Sequence, residues 1–411
     1  MMCKKGATSV LSLLIAVAAV ALMGLSPAPQ ALLINSWSLQ YTRHAINPAA
    51  QQTVLADPPA GHARAVFWLA SAALRSGNPA LAETLIASQA AQGDPYAMRL
   101  MVDVFLMEGN FAGAVTMGQQ VKDVNALLRV ASLAQQSGRW EDALMAYEAA
   151  WRVDMESGTL PLVNLLLYSK ADYSTAEDVL RQSLAALPNS SEWSLWSCRL
   201  GDALRGQKRW NEAEAAYENA LIRNPNEWLA HIGLGWTRYE RGDGLQEAMS
   251  EFQEVINTPE SRGYGQFAIA QVLTREKRFE EADGWFVQAL ALNSEIPWWY
   301  AARGNAARQA GNLALALTVY QEALTRFPDF EPAYFEIAYA YQLNEQPAQA
   351  IAAIEHAVAL TTPPDATYYA RAGNIYEWAG DKSQALNAYR QALLIDPQNA
   401  TALKGVERLN K

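Results

Sequence analysis

The clearest pattern of hydrophobic and polar positions lies towards the C-terminal end, where residues 366–399 read ATYYARAGNIYEWAGDKSQALNAYRQALLIDPQN. Apolar residues recur every three or four positions on both sides of Gly380-Asp381, which is the spacing of one face of an α-helix. Gly380 interrupts the pattern, and Pro397 ends it because proline cannot donate the next helical hydrogen bond. The segment therefore predicts two amphipathic helices joined by a short turn.

The same pattern recurs at intervals of about 34 residues, which indicates a repeat array. Further units begin near Glu331, Pro297, Gly263, Trp228, Ser194, Ser157, Val124, Pro95 and Ala63. In every unit the second helix opens with an alanine at position 20. This alanine column consists of Ala82, Ala114, Ala143, Ala176, Ala213, Ala248, Ala282, Ala316, Ala350 and Ala385. We therefore predict about ten stacked helical hairpins.

Two further columns repeat with the alanines. The small-residue column, at position 8, reads Ala70, Val102, Ala131, Asn164, Gly201, Gly235, Ala270, Gly304, Ala338 and Gly373. The aromatic column, at position 24, carries Tyr147, Tyr217, Phe252, Phe286, Tyr320 and Tyr389. Two helices approach closely only where side chains are small, and large side chains then fill the space around each close contact. One hairpin cannot bury its apolar face alone, so neighbouring hairpins must stack.

This pattern resembles the tetratricopeptide repeat, in which large, small, aromatic and proline positions occur at fixed places in each 34-residue unit. In the last unit the matching residues are Tyr369, Gly373, Tyr376, Ala385, Tyr389, Ala392 and Pro397. The resemblance extends from Ala63 to Asn399. It implies an all-α fold, an α-α superhelix or solenoid of about ten helical hairpins, in which the first helix of each hairpin lines a concave groove.

The repeat is regular in one part of the chain and degenerate in another. We predict degenerate units over residues 63–190, six well-formed units over 194–399 and a C-terminal cap fragment over 400–411. The unit at Pro95 lacks a full second helix in its pattern, and the unit at Ser157 has Pro161 inside its first helix and Asn164 in the small-residue column. Gly242-Asp243-Gly244 adds one residue to a turn.

An apolar segment precedes the repeats. Lys4 and Lys5 come before an uncharged run whose centre reads VLSLLIAVAAVALMGL, and the next positive charge is Arg43. This length and charge bias predict one transmembrane signal anchor within residues 1–30, crossing the cytoplasmic membrane through residues 7–25 with the N-terminus inside. Residues 31–62 then form a juxtamembrane helix and linker, and the repeats are extracytoplasmic. A cleaved signal peptide, which would release a secreted protein, and a buried core helix are the alternatives.

Composition and charge argue against several kinds of chemistry. The formal net charge is −10 and the sequence pI is about 5.1, so we expect no nucleic-acid partner. Cys198 is the single cysteine of the repeat region, because Cys3 precedes the apolar segment. His44, His62, His231 and His356 show no metal-ligand spacing. We therefore expect no metal site and no cofactor, and we expect that the protein is not an enzyme.

The resemblance also implies which positions face a ligand, namely positions 2, 5, 9, 12 and 13 of each unit. From Trp228 onward these positions carry aromatic, amide and guanidinium groups. The candidate groove residues are Trp236, Tyr239, Tyr264, Phe267, Gln271, Arg275, Trp298, Asn305, Arg308, Phe335, Tyr339, Asn374 and Trp378. Either they contact a ligand or they pack between neighbouring first helices. A carboxylate clamp would need Lys at position 5, where this chain has Ala301 and Ala370.

Two functions fit this reading. The first is a membrane-anchored scaffold that binds a protein or peptide partner in its groove and assists the assembly or regulation of a bacterial-type envelope complex. The second is an accessory protein for extracytoplasmic glycan or polymer handling, in which the groove aromatics stack on sugars. A repeat-bearing glycosyltransferase would need a catalytic domain after the array, and we expect none.

Overall fold

The computed structural model describes residues 63–410. The predicted anchor, at 1–30, and the linker, at 31–62, lie outside the described residues. Within residues 63–410, no helix is both long and apolar enough to cross a membrane. The described residues are helices and short connections without a β-strand, as the all-α prediction required.

The chain divides after Ser190 into two compact units. Within residues 63–190 of the first unit, eight α-helices and one π-helical segment follow one another. They are α1 Ala63–Arg75, α2 Pro79–Ala91, α3 Pro95–Met107, α4 Phe111–Gln120, α5 Val124–Gln136, α6 Trp140–Val153, α7 Met155–Asn164, the π-helix Leu165–Lys170 and α8 Tyr173–Ala186.

The second unit contains six helical hairpins and one closing helix. Its helices are α9 Trp193–Gly206, α10 Trp210–Arg223, α11 Trp228–Arg241, α12 Leu245–Val255, α13 Tyr264–Arg275, α14 Phe279–Leu292, α15 Pro297–Gln309, α16 Leu313–Arg326, α17 Glu331–Leu343, α18 Pro347–Leu360, α19 Ala366–Trp378, α20 Lys382–Ile395 and α21 Ala400–Leu409. Each first helix from α9 to α15 also contacts the next first helix. Together α9, α11, α13, α15, α17 and α19 form a surface that we call the first-helix face.

Local sequence signals set where these helices begin. Pro297 and Pro347 occupy the first turn of their helices, where a missing N–H costs nothing. Asn312 and Asp381 are N-caps, and the Asn312 side chain accepts a hydrogen bond from the Leu315 amide at 3.1 Å. Such caps satisfy backbone donors that the helix leaves unpaired.

The alanine column lies where the helices cross. All ten alanines have 0% of their surface exposed, which confirms the predicted register. The same residues therefore explain the close approach of the two helices in each hairpin, since a larger side chain would hold the backbones apart.

The aromatic column lies directly over the small-residue column. Tyr320 is fully buried, and a methyl group added to Gly304 would lie 2.4 Å from its ring. A methyl group added to Gly373 would likewise lie 2.5 Å from the Tyr389 ring, and one added to Gly405 of the closing helix would lie 2.4 Å from the same ring. Glycine at these positions is required because the aromatic ring occupies the space of a Cβ atom.

The irregular unit of the first half departs from the predicted register. Asn164 is exposed and does not occupy the close contact. Gly158 makes a different close approach, to the preceding helix α6, because a Cβ on Gly158 would lie 2.4 Å from the Trp151 Cα atom. Pro161 lies inside α7, and the π-helix that follows widens the backbone by one residue per turn. The first helix of this unit is therefore irregular, and its position 8 carries an exposed residue.

The extra residue near Gly242 lies in the turn, as predicted. The residue in the left-handed conformation after the first helix is Gly242 here and Gly311 in a regular hairpin, and each lies seven positions after its small-residue column, Gly235 or Gly304. The N-cap of the next helix follows one residue later at Asn312, but two residues later at Gly244. The turn after α11 is therefore one residue longer than the regular one.

Overpacking the alanine column should destabilise the fold. We expect Ala316→Leu and Ala385→Leu each to lower the free energy of unfolding by roughly 1–3 kcal/mol, because both alanines are fully buried and a larger side chain overpacks the core. Urea denaturation followed by far-UV circular dichroism measures this. Ala291→Leu, at an exposed position of α14, is the matched control. Unchanged denaturation of both buried variants would contradict the packing described above.

Candidate functional site

A cavity of about 460 Å³ opens on the first-helix face between α13, α15 and the start of α17. Five of the candidate groove residues predicted from the sequence meet there. The lining residues are Tyr264, Phe267, Gln271, Ile296, Trp298, Trp299, Ala301, Ala302, Asn305, Pro332 and Glu336. We call this the aromatic cavity. Its size and mixed lining are those of a site for one or two side chains or a small ligand.

The wall of the aromatic cavity is a rigid group of rings. Trp299 is 2% exposed and stacks on Phe267, with ring centroids 4.9 Å apart and planes 15° apart. Tyr264 meets Trp299 edge-on at 5.1 Å. The neighbouring Trp298 is 60% exposed and meets Phe330 edge-on at 4.9 Å. Trp299 therefore acts as the fixed floor, while Trp298 offers a free ring surface at the mouth.

Asn305 is held in one orientation beside this wall. Its Oδ1 atom accepts hydrogen bonds from the Tyr320 hydroxyl at 2.7 Å and from Arg308 at 2.9 Å. A guanidinium group can only donate, so the oxygen must face Arg308 and the amide nitrogen must face away from it. Burial raises the pKa of Tyr320, which keeps its hydroxyl protonated as a donor. The Asn305 side chain thus presents its NH₂ group as a fixed donor.

The same arrangement recurs in two other hairpins. The Tyr389 hydroxyl lies 2.8 Å from Asn374 Oδ1, and the Tyr217 hydroxyl lies 2.8 Å from Asp202 Oδ1. In each case the tyrosine hydroxyl of the aromatic column donates a hydrogen bond to the side chain at position 9 of the first helix. Asn374 therefore has a structural role in its hairpin, whatever else its amide nitrogen contacts.

A second group of candidates lies around Tyr339. Guanidinium carbons of Arg308 and Arg371 lie 4.8 and 4.2 Å from the centroid of the Tyr339 ring. Arg371 also lies 5.4 Å from the Phe335 ring. Arg308 reaches Glu336 at 3.4 Å. The face at this point is cationic and aromatic, and it adjoins the aromatic cavity through Asn305 and Glu336.

A third group lies on α11 and α13. Arg275 lies over the Trp236 ring at 4.7 Å and over the Tyr239 ring at 5.9 Å. The Tyr239 hydroxyl donates to Glu276 at 2.7 Å. Burial raises the pKa of Tyr239, and the bond to Glu276 raises it further. The charged and aromatic groups of these side chains therefore interact mainly with one another.

Trp378 stands apart from the other candidates. It is 40% exposed at the end of α19, and no ring contact or hydrogen bond joins it to another candidate among the described residues. The sequence prediction also missed three residues that belong to these groups. Arg371 and Glu336 occupy position 6 of their units, and Trp299 occupies position 3. Position 6 is charged in three of the six C-terminal units, at Arg199, Glu336 and Arg371, and is Gly or Ala in the other three, so it did not stand out in the sequence.

Comparison with protein-family models identifies the repeat. Models described as tetratricopeptide repeat match residues 47–98, 198–264, 301–363 and 366–399, which is more than half of the chain. The chain therefore belongs to the tetratricopeptide repeat family.

Individual relatives are more distant. Protein O-mannosyl-transferase Tmtc1 of Drosophila melanogaster is 29% identical over 131 residues, which are 31% of this chain and 15% of that protein. A crystal structure of a tetratricopeptide repeat protein from Parabacteroides merdae is 18% identical, covers 62% of this chain and 99% of its own, and has a TM-score of 0.42. Yeast Tom70 is 14% identical, covers 85% of this chain and 88% of its own, and has a TM-score of 0.47.

Proposed function

We propose that this protein is a non-catalytic scaffold that binds an extended segment of a partner protein along the first-helix face of its second unit. The observation that carries the proposal is the aromatic cavity, which sets a wall of packed rings beside the fixed amide group of Asn305. Buried aromatic anchors and oriented donors are what protein-binding hot spots consist of. Membership in a family of binding repeats supports the same role.

The geometry suggests how such a segment binds. An apolar side chain enters the aromatic cavity and lies between the exposed Trp298 ring and the Phe267 wall. A main-chain carbonyl of the segment accepts from the Asn305 amide nitrogen, whose direction is already fixed. Because Trp299 and Asn305 are held in place before binding, little side-chain entropy is lost when the segment docks.

A selection experiment tests the proposal directly. The full chain is panned against a library of random dodecapeptides, and recovered peptides are synthesised and titrated. We expect recovered sequences to share a large apolar residue and to lose affinity when it is changed to alanine. Failure to recover any peptide that binds the folded chain would contradict the proposal.

Glycan binding is the second candidate, and one observation favours it. The exposed Trp298 ring lies in the same cavity as the amides of Gln271 and Asn305. This combination also stacks on a sugar ring and bonds its hydroxyls. A parallel titration with soluble oligosaccharides separates the two, since binding of sugars without peptides would favour the second candidate.

We also propose that the scaffold is tethered to the cytoplasmic membrane through residues 7–25, with the repeats outside, where it assists an envelope complex. Lys4 and Lys5 before a long uncharged apolar run support this topology. Protease added to bacterial spheroplasts expressing the full chain should digest the repeats. Protection until the membrane is lysed would reverse the topology, and an N-terminus beyond residue 25 on the isolated protein would favour cleavage.

A further inference from the structure

Two guanidinium groups share one aromatic ring on the first-helix face. Arg308 on α15 and Arg371 on α19 both lie against Tyr339, which projects from α17 between these two helices in the chain. Each arginine also has its Nε atom buried without a hydrogen-bond partner. We call Arg308 and Arg371 the arginine pair.

The arginine pair is incompletely neutralised. Arg308 has Glu336 at 3.4 Å and the Asn305 oxygen at 2.9 Å. Arg371 makes no hydrogen bond or ion pair with any of residues 63–410; its described contacts are the Tyr339 and Phe335 rings. Burial and the nearby positive charge of Arg308 lower the pKa of Arg371, although an arginine stays protonated. Two cations therefore share one carboxylate in a partly buried place.

We propose that Arg371, together with Arg308, binds the side-chain carboxylate of an aspartate or glutamate in the segment that occupies the aromatic cavity. This inference rests on the proposed peptide-binding function and specifies the chemistry of the segment. A planar guanidinium pairs a carboxylate through two parallel N–H donors, and ring stacking alone leaves those donors unused. The second carboxylate that the arginine pair lacks then comes from the ligand.

The position of the arginine pair fixes where the acidic residue lies in the segment. Asn305 and Glu336 line the aromatic cavity, and both contact Arg308. The acidic side chain is therefore near the apolar side chain that fills the cavity. The first-helix face continues past Arg371 to Asn374 and Trp378 on α19. There is thus surface for the segment on both sides of the arginine pair, so we assign the carboxylate to a side chain and not to the end of a peptide.

Matched peptides test the inference on the full chain. A peptide recovered from the dodecapeptide library is prepared with acetylated and amidated ends, once with glutamate and once with glutamine beside its apolar anchor. We expect the glutamate form to bind about tenfold more tightly, as one charge-assisted pair would give. Arg371→Gln should remove this difference between the two forms, whatever its effect on the affinity of the glutamine form. Arg390→Gln, which removes one charge from an exposed position of α20, should retain the difference.

A second variant leaves Arg371 intact. Glu336→Gln removes the carboxylate that competes for the arginine pair, so the glutamate peptide should bind several-fold more tightly than to wild type. Equal affinity of the glutamate and glutamine forms for wild type would overturn the inference while leaving peptide binding in place. Recovery of the full affinity by a glutamine peptide with a free C-terminus would overturn the assignment to a side chain. Absence of any peptide binding would overturn the inference and the proposed function together.

Discussion

Gly304→Ala is expected to destabilise the second unit by about 3 kcal/mol, the upper part of the range for overpacked cores. The added methyl group would lie 2.4 Å from the Tyr320 ring. That ring cannot move aside, because it is fully buried and its hydroxyl is bonded to Asn305. The steric cost must also exceed the gain of about 1 kcal/mol that alanine brings to a helix interior. Urea denaturation of the full chain measures the change.

Gly284→Ala is the matched control for this substitution. Gly284 lies in the interior of α14, is exposed, and has no heavy atom within 4 Å of its added methyl group. We expect this variant to be more stable than wild type by up to about 1 kcal/mol. A double-mutant cycle with Tyr320→Leu then identifies the cause, since Gly304→Ala should cost much less once the ring is gone. Equal effects of the two glycine substitutions would contradict the ring-over-glycine packing.

The repeat architecture could be predicted from the sequence because packing leaves few choices at the helix crossings. Each alanine of the column is fully buried, where a larger side chain would hold the two helices apart, so the column is visible without a structure. Where backbone geometry changes, the spacing loses this meaning. In the unit at Ser157, Pro161 and the π-helix make the first helix irregular, and Asn164, which the sequence interval placed at the close contact, is exposed.

The candidate site could be predicted only in part. Position rules selected Tyr264, Trp298 and Asn305, which the structure brings to one cavity. Those rules take no account of partners in the same hairpin, and so missed that Asn305 is already bonded by Tyr320. The signal was present, because position-9 polar residues and aromatic-column tyrosines are fifteen residues apart in three hairpins.

Arg371 was not predicted from the sequence, for a different physical reason. Its importance comes from a charge imbalance with Arg308, and that imbalance depends on Tyr339 bringing two separate helices together. Residues in these helices are more than sixty positions apart in the sequence, from Arg308 to Arg371. A pattern within one repeat cannot report a relation between hairpins. The electrostatics of the face therefore had to come from the structure.

Trp298→Ala should weaken peptide binding by roughly 30-fold, or about 2 kcal/mol, and leave the fold intact. Trp298 is 60% exposed and its described ring contact is with Phe330, so its removal leaves little of the core uncovered. In the proposed complex its ring covers the apolar side chain in the aromatic cavity. Titration of a library-derived peptide measures the loss, and far-UV melting reports on folding.

The neighbouring tryptophan provides the contrast. Trp299 is 2% exposed and stacks on Phe267, so Trp299→Ala should lower the free energy of unfolding by about 3–5 kcal/mol. Trp140→Ala, at an exposed position of the first unit, should change neither binding nor melting. If Trp298→Ala melts as early as Trp299→Ala, both rings belong to the core and the cavity loses its binding surface. If Trp298→Ala folds normally and binds as wild type does, the peptide occupies another part of the protein.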